Sequence, residues 1–266
     1  MVRNVPVEAG RLERWVAGFG ERHPGVRATV WADRVLLSAP DGSAAELFAP
    51  FPPLVELAVE PLTASGGRRG PEPADPVAAG PLLAEPGSWE PFELAGPPPG
   101  QLPPDPPLHP LGQAGPAQAA AALVANAHSV PGLRVLLIRR GGYACAVLAG
   151  DTVTSSKIGS RYVQGRTAAG GWSQQRFARR RDGQAQALVG SATEVAVRVL
   201  LPAGPDDALV TGGDRPLIDQ VLADPRLAAL NRLRRGPHLD IGDPRIDLVQ
   251  ELPRTARAIR ITLDER

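Results

Sequence analysis

The chain has 266 residues, 43% hydrophobic and 21% charged, long enough to bury one or two cores. Apolar runs such as Cys145–Ala149 fall far short of the roughly 20 residues a membrane span needs, and the opening MVRNVPVEAGRLERW shows no apolar signal region. A single cysteine excludes an internal disulfide and any multi-thiolate metal site, consistent with a cytoplasmic protein. The balance of 29 basic against 28 acidic residues, +1 overall, speaks at first sight against a nucleic-acid partner.

In chain order, Leu12, Trp15, Val16 and Phe19 put an apolar stripe on a helix over Glu8–Arg22, ended by His23-Pro24-Gly25. Arg27–Trp31 and Arg34–Ala39 read as two strands around Ala32-Asp33, closed by the turn Pro40-Asp41-Gly42. Ala44–Leu57 has room for another short element, interrupted by Pro50, Pro52 and Pro53. Trp15 and Trp31 read as core anchors of this first piece.

Residues 61–116 contain 16 of the chain's 30 prolines and read as an extended, largely polyproline-like linker wrapped on its own protein. A ligand for an adaptor domain is the other reading of such a stretch.

From Ala117 the pattern is that of an α/β (α+β) domain. Ala117–Ala127 is a predicted helix. Leu133–Arg139 and Tyr143–Ala149 form a predicted hairpin around Gly141-Gly142, and Asp151–Lys157 a third antiparallel strand. A loop over Gly159–Gly171 leads to a long helix, Ser173–Leu201, with Ser173 as N-cap and Leu188, Ala192, Val195 and Val199 on one stripe; Gly183 and Gly190 suggest a bend. Ala208–Thr211 is a strand entering Gly212-Gly213-Asp214, the start of a helix over Pro216–Leu222. A strand, helix and strand follow over Pro237–Ile241, Pro244–Leu252 and Ala256–Leu263. These elements predict a mixed β-sheet with packed helices over 117–266, preceded by a small N-terminal α/β piece at 1–60 and the linker at 61–116.

The charge average conceals a strip. Lys157–Arg181 holds Lys157, Arg161, Arg166, Arg176, Arg179, Arg180 and Arg181 with no acid; the rest of the chain has 22 basic and 28 acidic residues, a net of −6. The strip reads GSRYVQGRTAAGGWSQQRFARRR from Gly159. Glycines at 159, 165, 170 and 171 let a backbone approach another molecule closely. The arginines supply planar donors to phosphate, and Tyr162 and Trp172 offer faces on which bases stack, worth about 1–3 kcal/mol each when engaged. Gln174 and Gln175 add polar amides at a helix start. Seven phosphate contacts would weaken binding on the order of a thousandfold or more between 50 and 200 mM salt. A solvated basic loop and helix face is the plain alternative. The strip is neither a Walker loop nor a dinucleotide fingerprint.

The segment YVQGRTAAGGWSQQRFARRR, after three strands and before a long helix, resembles the catalytic loop of the VMS-like release factors, in particular their actinobacterial branch. These are relatives of the central domain of eukaryotic peptide-chain release factors. The resemblance implies that Gly170 and Gly171 match the loop glycines, Ser173 the serine of the Gly-Ser-Gln version, and Gln174 the essential glutamine. Trp172 interrupts that motif, and Gln175 is the alternative glutamine. The implied reaction is hydrolysis of the peptidyl-tRNA ester on the large ribosomal subunit, in ribosome rescue or quality control. The implied partners are large-subunit rRNA and peptidyl-tRNA, with no cofactor, metal or membrane, and a monomer away from the ribosome. Lys157, Arg161, Tyr162, Arg166, Trp172, Gln175, Arg176, Arg179, Arg180 and Arg181 would be the RNA-binding set. No segment reads as a codon-reading domain, which favours a subunit-level substrate.

Two other functions stay open at this point. One is a ribosome-binding factor that fills the peptidyl transferase centre without catalysis. The other is an RNA nuclease, for which His238, Asp240 and Asp243 offer metal-ligand types at strand spacing, although Gly242 and Pro244 make a strand-end turn the simpler reading. Cys145, on an apolar strand, reads as a buried inert thiol. Asp206, Asp207 and Asp214 read as loop and cap residues, and Arg232, Arg234 and Arg235 as helix-end charges or an extension of the RNA face.

Overall fold

The computed structural model describes residues 2–54, 110–160 and 173–265. Their elements run β1 (Val2–Val7), α1 (Leu12–Arg22), β2 (Arg27–Val30), β3 (Arg34–Ser38), β4 (Ala44–Phe48), β5 (Gly112–Ala114), α2 (Pro116–His128), β6 (Gly132–Arg139), β7 (Gly142–Ala149), β8 (Thr152–Ser160), α3 (Ser173–Leu200), β9 (Ala208–Gly213), α4 (Arg215–Leu222), α5 (Ala228–Asn231), β10 (Arg234–Leu239), α6 (Ile246–Thr255) and β11 (Ile259–Asp264), with short 3-10 turns before α1 and α5. They form two open sheets, ordered β1-β11-β4-β3-β2-β5 and β10-β9-β6-β7-β8. The mixed α/β architecture is as expected from the element pattern.

The first sheet is antiparallel throughout. Its inner face, with Val30, Val35, Leu37, Leu47 and Ile261, packs under α1 and α2 through Leu12, Val16, Phe19 and Leu123. The central strands of the second sheet, β6, β7 and β9, are buried on both faces. Leu136, Ile138 and Cys145 face Leu188, Ala192, Ala196 and Leu200 of α3 together with Ile218 and Val221 of α4. Val135, Leu137, Ala144, Ala146 and Leu148 face Val249 and Leu252 of α6. This is why β6, flanked by β7 and β9, is nearly continuously apolar rather than alternating.

Several elements differ from the sequence expectation. β1 carries no local signal because its partner, β11, lies at the other end of the chain. It takes an outermost position in the sheet order, where Pro6 is tolerated. Gly112–Ala114, read as linker, pairs with β2 as a three-residue strand. Trp31 is half-buried on the open face of the first sheet and belongs to no apolar cluster, whereas Trp15 packs against the first core and stacks on Phe19 at 5.7 Å. The long helix runs without a break through Gly183 and Gly190, and its buried stripe is Leu188, Ala192, Val195, Ala196 and Leu200, with Val199 half-buried. The last strand does not join the second sheet; β11 lies between β1 and β4, and α2 packs on α1, so both belong to the first core.

Two buried polar groups tie the sheets together. The Asn126 side chain accepts from the Phe51 amide at 3.0 Å and donates to the Phe51 carbonyl at 2.6 Å, which fixes Phe51 inside the second core. Arg257, 3% exposed, donates to the carbonyls of Ala127 (2.6 Å), Val130 (3.0 Å) and Gly150 (3.2 Å). Its burial pulls its pKa down, partly offset by Asp151.

Candidate functional site

The glycine-, arginine- and glutamine-rich strip leaves the second sheet from β8 and leads into α3. β8 is an outermost strand, paired only to β7, and most of it is exposed, Lys157 included. A row of Thr, Ser and Lys on such an edge blunts strand-to-strand association. Lys157 lies opposite Cys145, which faces α3, so both occupy the α3 side of the sheet. Lys157 has no acidic partner among the described residues. Arg161, Tyr162, Arg166, Gly170, Gly171 and Trp172 lie outside the described residues. Ser173 is the first residue of α3 rather than the cap before it, and Gln174, Gln175, Arg176, Arg179, Arg180 and Arg181 occupy its first turns.

Gly159 corrects the expected boundary. It belongs to β8, not to the loop, and lies opposite Tyr143. A Cβ there would stand 2.7 Å from Tyr143 Cε1 and closer still to Cζ, so the glycine is required by its own neighbour rather than by an external molecule. Tyr143, 7% exposed and part of the α3-facing core, therefore holds the root of the loop. The sequence reading does not single out Tyr143. Counting pairs outward from the Gly150-Asp151 turn would set Tyr143 opposite Ile158; a one-residue register shift between Val147 and Leu148 brings Tyr143 to Gly159 and Gly142 to Ser160, and nothing in the sequence signals it.

The same register puts the β6–β7 turn at the end of the sheet where β8 finishes. Arg140 and Gly141 are exposed there, while Arg139 donates to the Ile241 carbonyl. Gly213, with φ of 93°, packs on the Ile138 carbonyl, and the following Asp214 amide donates to that oxygen at 2.8 Å. Asp214 occupies the N-cap position of α4 as expected but makes no side-chain capping bond.

The residues weighed as metal ligands have other roles. His238 Nε2 donates to the Gly213 carbonyl at 3.1 Å and Nδ1 accepts from the Thr211 hydroxyl at 3.0 Å. Burial, reinforced by the charge of Arg215, lowers its pKa and keeps the ring neutral. Asp240 and Asp243 are exposed at the strand end. Among the described residues no group of three or more His, Cys, Asp or Glu side chains is placed to hold a metal. Asp207 is buried against Arg134 at 2.8 Å and caps the Gly204 amide. Arg235 bonds Asn231 and Arg234 bonds Ser129, and both lie at the start of β10 rather than at a helix end. Cys145 is fully buried, and burial pushes its thiol up to about 12, which makes it inert.

Residues 131–262 match the model of the Actinobacteria/chloroflexi VLRF1 release factor family. The chain belongs to this release factor family. The match starts at Pro131, immediately before β6, and ends within β11, so it takes in the whole second sheet and the β8–α3 connection. The VLRF1 region thus contains every residue of the basic strip, while β1 to β5 and both helices of the first core precede it. Membership gives the chain a release-factor-like role in translation. No curated protein matches the chain. Among the described residues no helix is long and apolar enough to cross a membrane.

Proposed function

We propose that the protein binds the large ribosomal subunit and hydrolyses the ester between nascent peptide and tRNA, acting in rescue or quality control. The observation that carries this reading is the coincidence of the VLRF1 match with the Gly170–Gln175 tip at the entrance to α3. In this reading the basic strip enters an RNA-lined cavity, and Gly170 and Gly171 allow close approach of the backbone to the ester. A glutamine amide has no usable basicity near neutral pH, so Gln174 is not a general base. Its one acceptor and two donors place the attacking water, and a nearby backbone N–H stabilises the oxyanion, an interaction typically worth about 3–4 kcal/mol. Ribosomal RNA and the terminal ribose hydroxyl supply the rest of the machinery.

The composition of α3 supports an anionic partner. Its first turn contains no acidic residue, although acids are favoured at a helix N-terminus by the macrodipole. Instead Arg176, Arg179, Arg180 and Arg181 follow in quick succession. Arg176 and Arg180 stand four apart, a spacing at which like charges oppose the helix by about 0.2–0.5 kcal/mol. A bound phosphate backbone removes that penalty. Lys157, Arg161, Tyr162, Arg166, Trp172 and Gln175 complete the RNA-facing set, and the protein is a cytoplasmic monomer off the ribosome.

The test is peptide release from large subunits carrying peptidyl-tRNA. Wild type frees the peptide, whereas Gln174→Ala co-sediments with the particles and does not. Subunit binding by wild type without release would instead identify a non-catalytic factor. Cleaved RNA with chelator-sensitive activity would identify a nuclease.

A further inference from the structure

The outer face of the first sheet carries a row of side chains that peptide release does not use. Arg260 pairs with Phe48 across β11 and β4, and Phe48 with Arg34 across β4 and β3. The Trp31 amide donates to the Arg34 carbonyl at 2.8 Å, which continues the row to the end of β2. Their chain neighbours Ile259, Ile261, Leu47, Val35 and Val30 all point into the first core, so the four side chains share the opposite face. The Arg260 guanidinium sits 4.5 Å from the Phe48 ring centre, and that of Arg34 lies 5.7 Å from Trp31. Trp31 and Phe48 are half-buried, yet neither belongs to an apolar cluster of the described residues. Arg34 is paired with Glu46 at 3.2 Å, whereas Arg27 and Arg260 have no acidic partner among the described residues.

Both ends of the stretch 55–109 are tied down beside this row. The Leu54 amide donates to the Ala32 carbonyl at 2.5 Å and the Leu111 amide to the Val30 carbonyl at 2.7 Å, on either side of Trp31. Residues 71–109 contain 13 prolines, six acidic residues and no Arg or Lys.

We propose that this proline-rich, acidic segment of the same chain docks on the Arg–aromatic row. Its proline rings pack on Trp31 and Phe48, and its carboxylates face Arg27 and Arg260. Proline-rich chain is pre-extended and is recognised by aromatic-lined faces at small entropic cost. Anchoring at both ends makes docking intramolecular, with an effective concentration that for short flexible tethers reaches about the millimolar range. Charge selects the occupant. The first 54 residues hold six basic and six acidic residues, and Glu46 and Asp33 lie against Arg34, which disfavours a run of phosphates. The proposal stands independently of the release reaction.

The full chain tests it by nitroxide relaxation. Ser88→Cys introduces a labelling site, and buried Cys145 does not compete for the label. Broadening of the Trp31 indole and the Phe48 and Thr262 amides is expected, with the α6 amides unaffected. The broadening should be lost in Arg27→Glu/Arg260→Glu and at about 0.5 M salt, where charges are screened within a few ångström. A label at Ala95→Cys repeats the test if the first variant fails to fold. Absence of broadening from both labels overturns the proposal. So does broadening seen only between labelled and unlabelled copies, which marks a second chain on the face. Shifts of these resonances only on adding oligouridylate mark RNA and likewise overturn it.

Discussion

Gly159 lies opposite Tyr143 across the β7–β8 pair, so close that a Cβ would stand 2.7 Å from Cε1 and press into the phenol ring. The glycine lets a large, core-facing ring lie over the last residues of an edge strand before the loop begins. Gly159→Ala is therefore expected to displace the ring or bend β8, costing about 1–3 kcal/mol, as overpacking of a filled site does. Urea unfolding checks the cost. Tyr143→Ala/Gly159→Ala should lose less than the sum of the two single variants, because the first substitution removes the clash created by the second.

In the proposed function the two glutamines at the start of α3 have separate roles. If Gln174 positions the water, Gln174→Ala lowers the single-turnover release rate by roughly a hundredfold to a thousandfold, the effect of removing one transition-state donor, with co-sedimentation unchanged. Gln175→Ala should affect binding more than rate. The reverse pattern would transfer the water-positioning role to Gln175.

In the proposed function Arg179, Arg180 and Arg181 act through phosphate contacts. Replacing each with Ala should lower subunit affinity and reduce the slope of log K against log salt by about 0.7–0.9 for every phosphate no longer neutralised. Titrations at several salt concentrations distinguish this from a weaker helix, which leaves the slope unchanged.

Arg257 holds the two cores together through three carbonyls, those of Ala127 and Val130 in buried bonds and that of Gly150 in a part-buried one. Arg257→Ala leaves these acceptors unpaired at about 1–3 kcal/mol for each one that remains buried, so a destabilisation on the order of 3 kcal/mol or more is expected. Denaturant unfolding measures it. Arg257→Lys should recover only part, because an ammonium cannot reproduce the planar fork.

Cys145 should resist thiol reagents in the native protein at pH 8 and react fully once unfolded. Its folded pKa, about 12, lies above the ordinary value near 9. The unfolded chain therefore releases the proton first. Stability from this group is complete below pH 9 and is lost as pH rises from 9 toward 12. Rapid labelling at pH 8 without unfolding would contradict the burial.

His238 has the opposite sign of response to acid. Its folded pKa is lowered by burial, so the unfolded state takes up a proton first as pH falls below the ordinary histidine value, and stability declines in that direction. Thr211→Val should lessen the lowering, since the hydroxyl that donates to Nδ1 favours the unprotonated ring; a histidine titration by NMR reads this directly.

Much of this protein is set by local pattern. The apolar stripe of α1, the three strands β6 to β8, the long helix α3 and the concentration of arginine, glycine and glutamine between β8 and α3 are all legible because their signals span a few adjacent residues. The strip's composition also brings the release factor resemblance within reach, since Gly170, Gly171, Ser173 and Gln174 stand in chain order. Which strands meet is settled only in three dimensions. β11 continues a predicted strand–helix–strand passage but pairs with β1 and β4, because register between the two ends of the chain leaves no periodic trace in it. For the same reason the packing of Tyr143 on Gly159, the buried Arg257 fork and the row Arg260–Phe48–Arg34–Trp31 are not legible from the chain alone. Each needs two or more distant segments to arrive together, and hydrophobic burial, being non-directional, drives that arrival without marking its partners in the sequence.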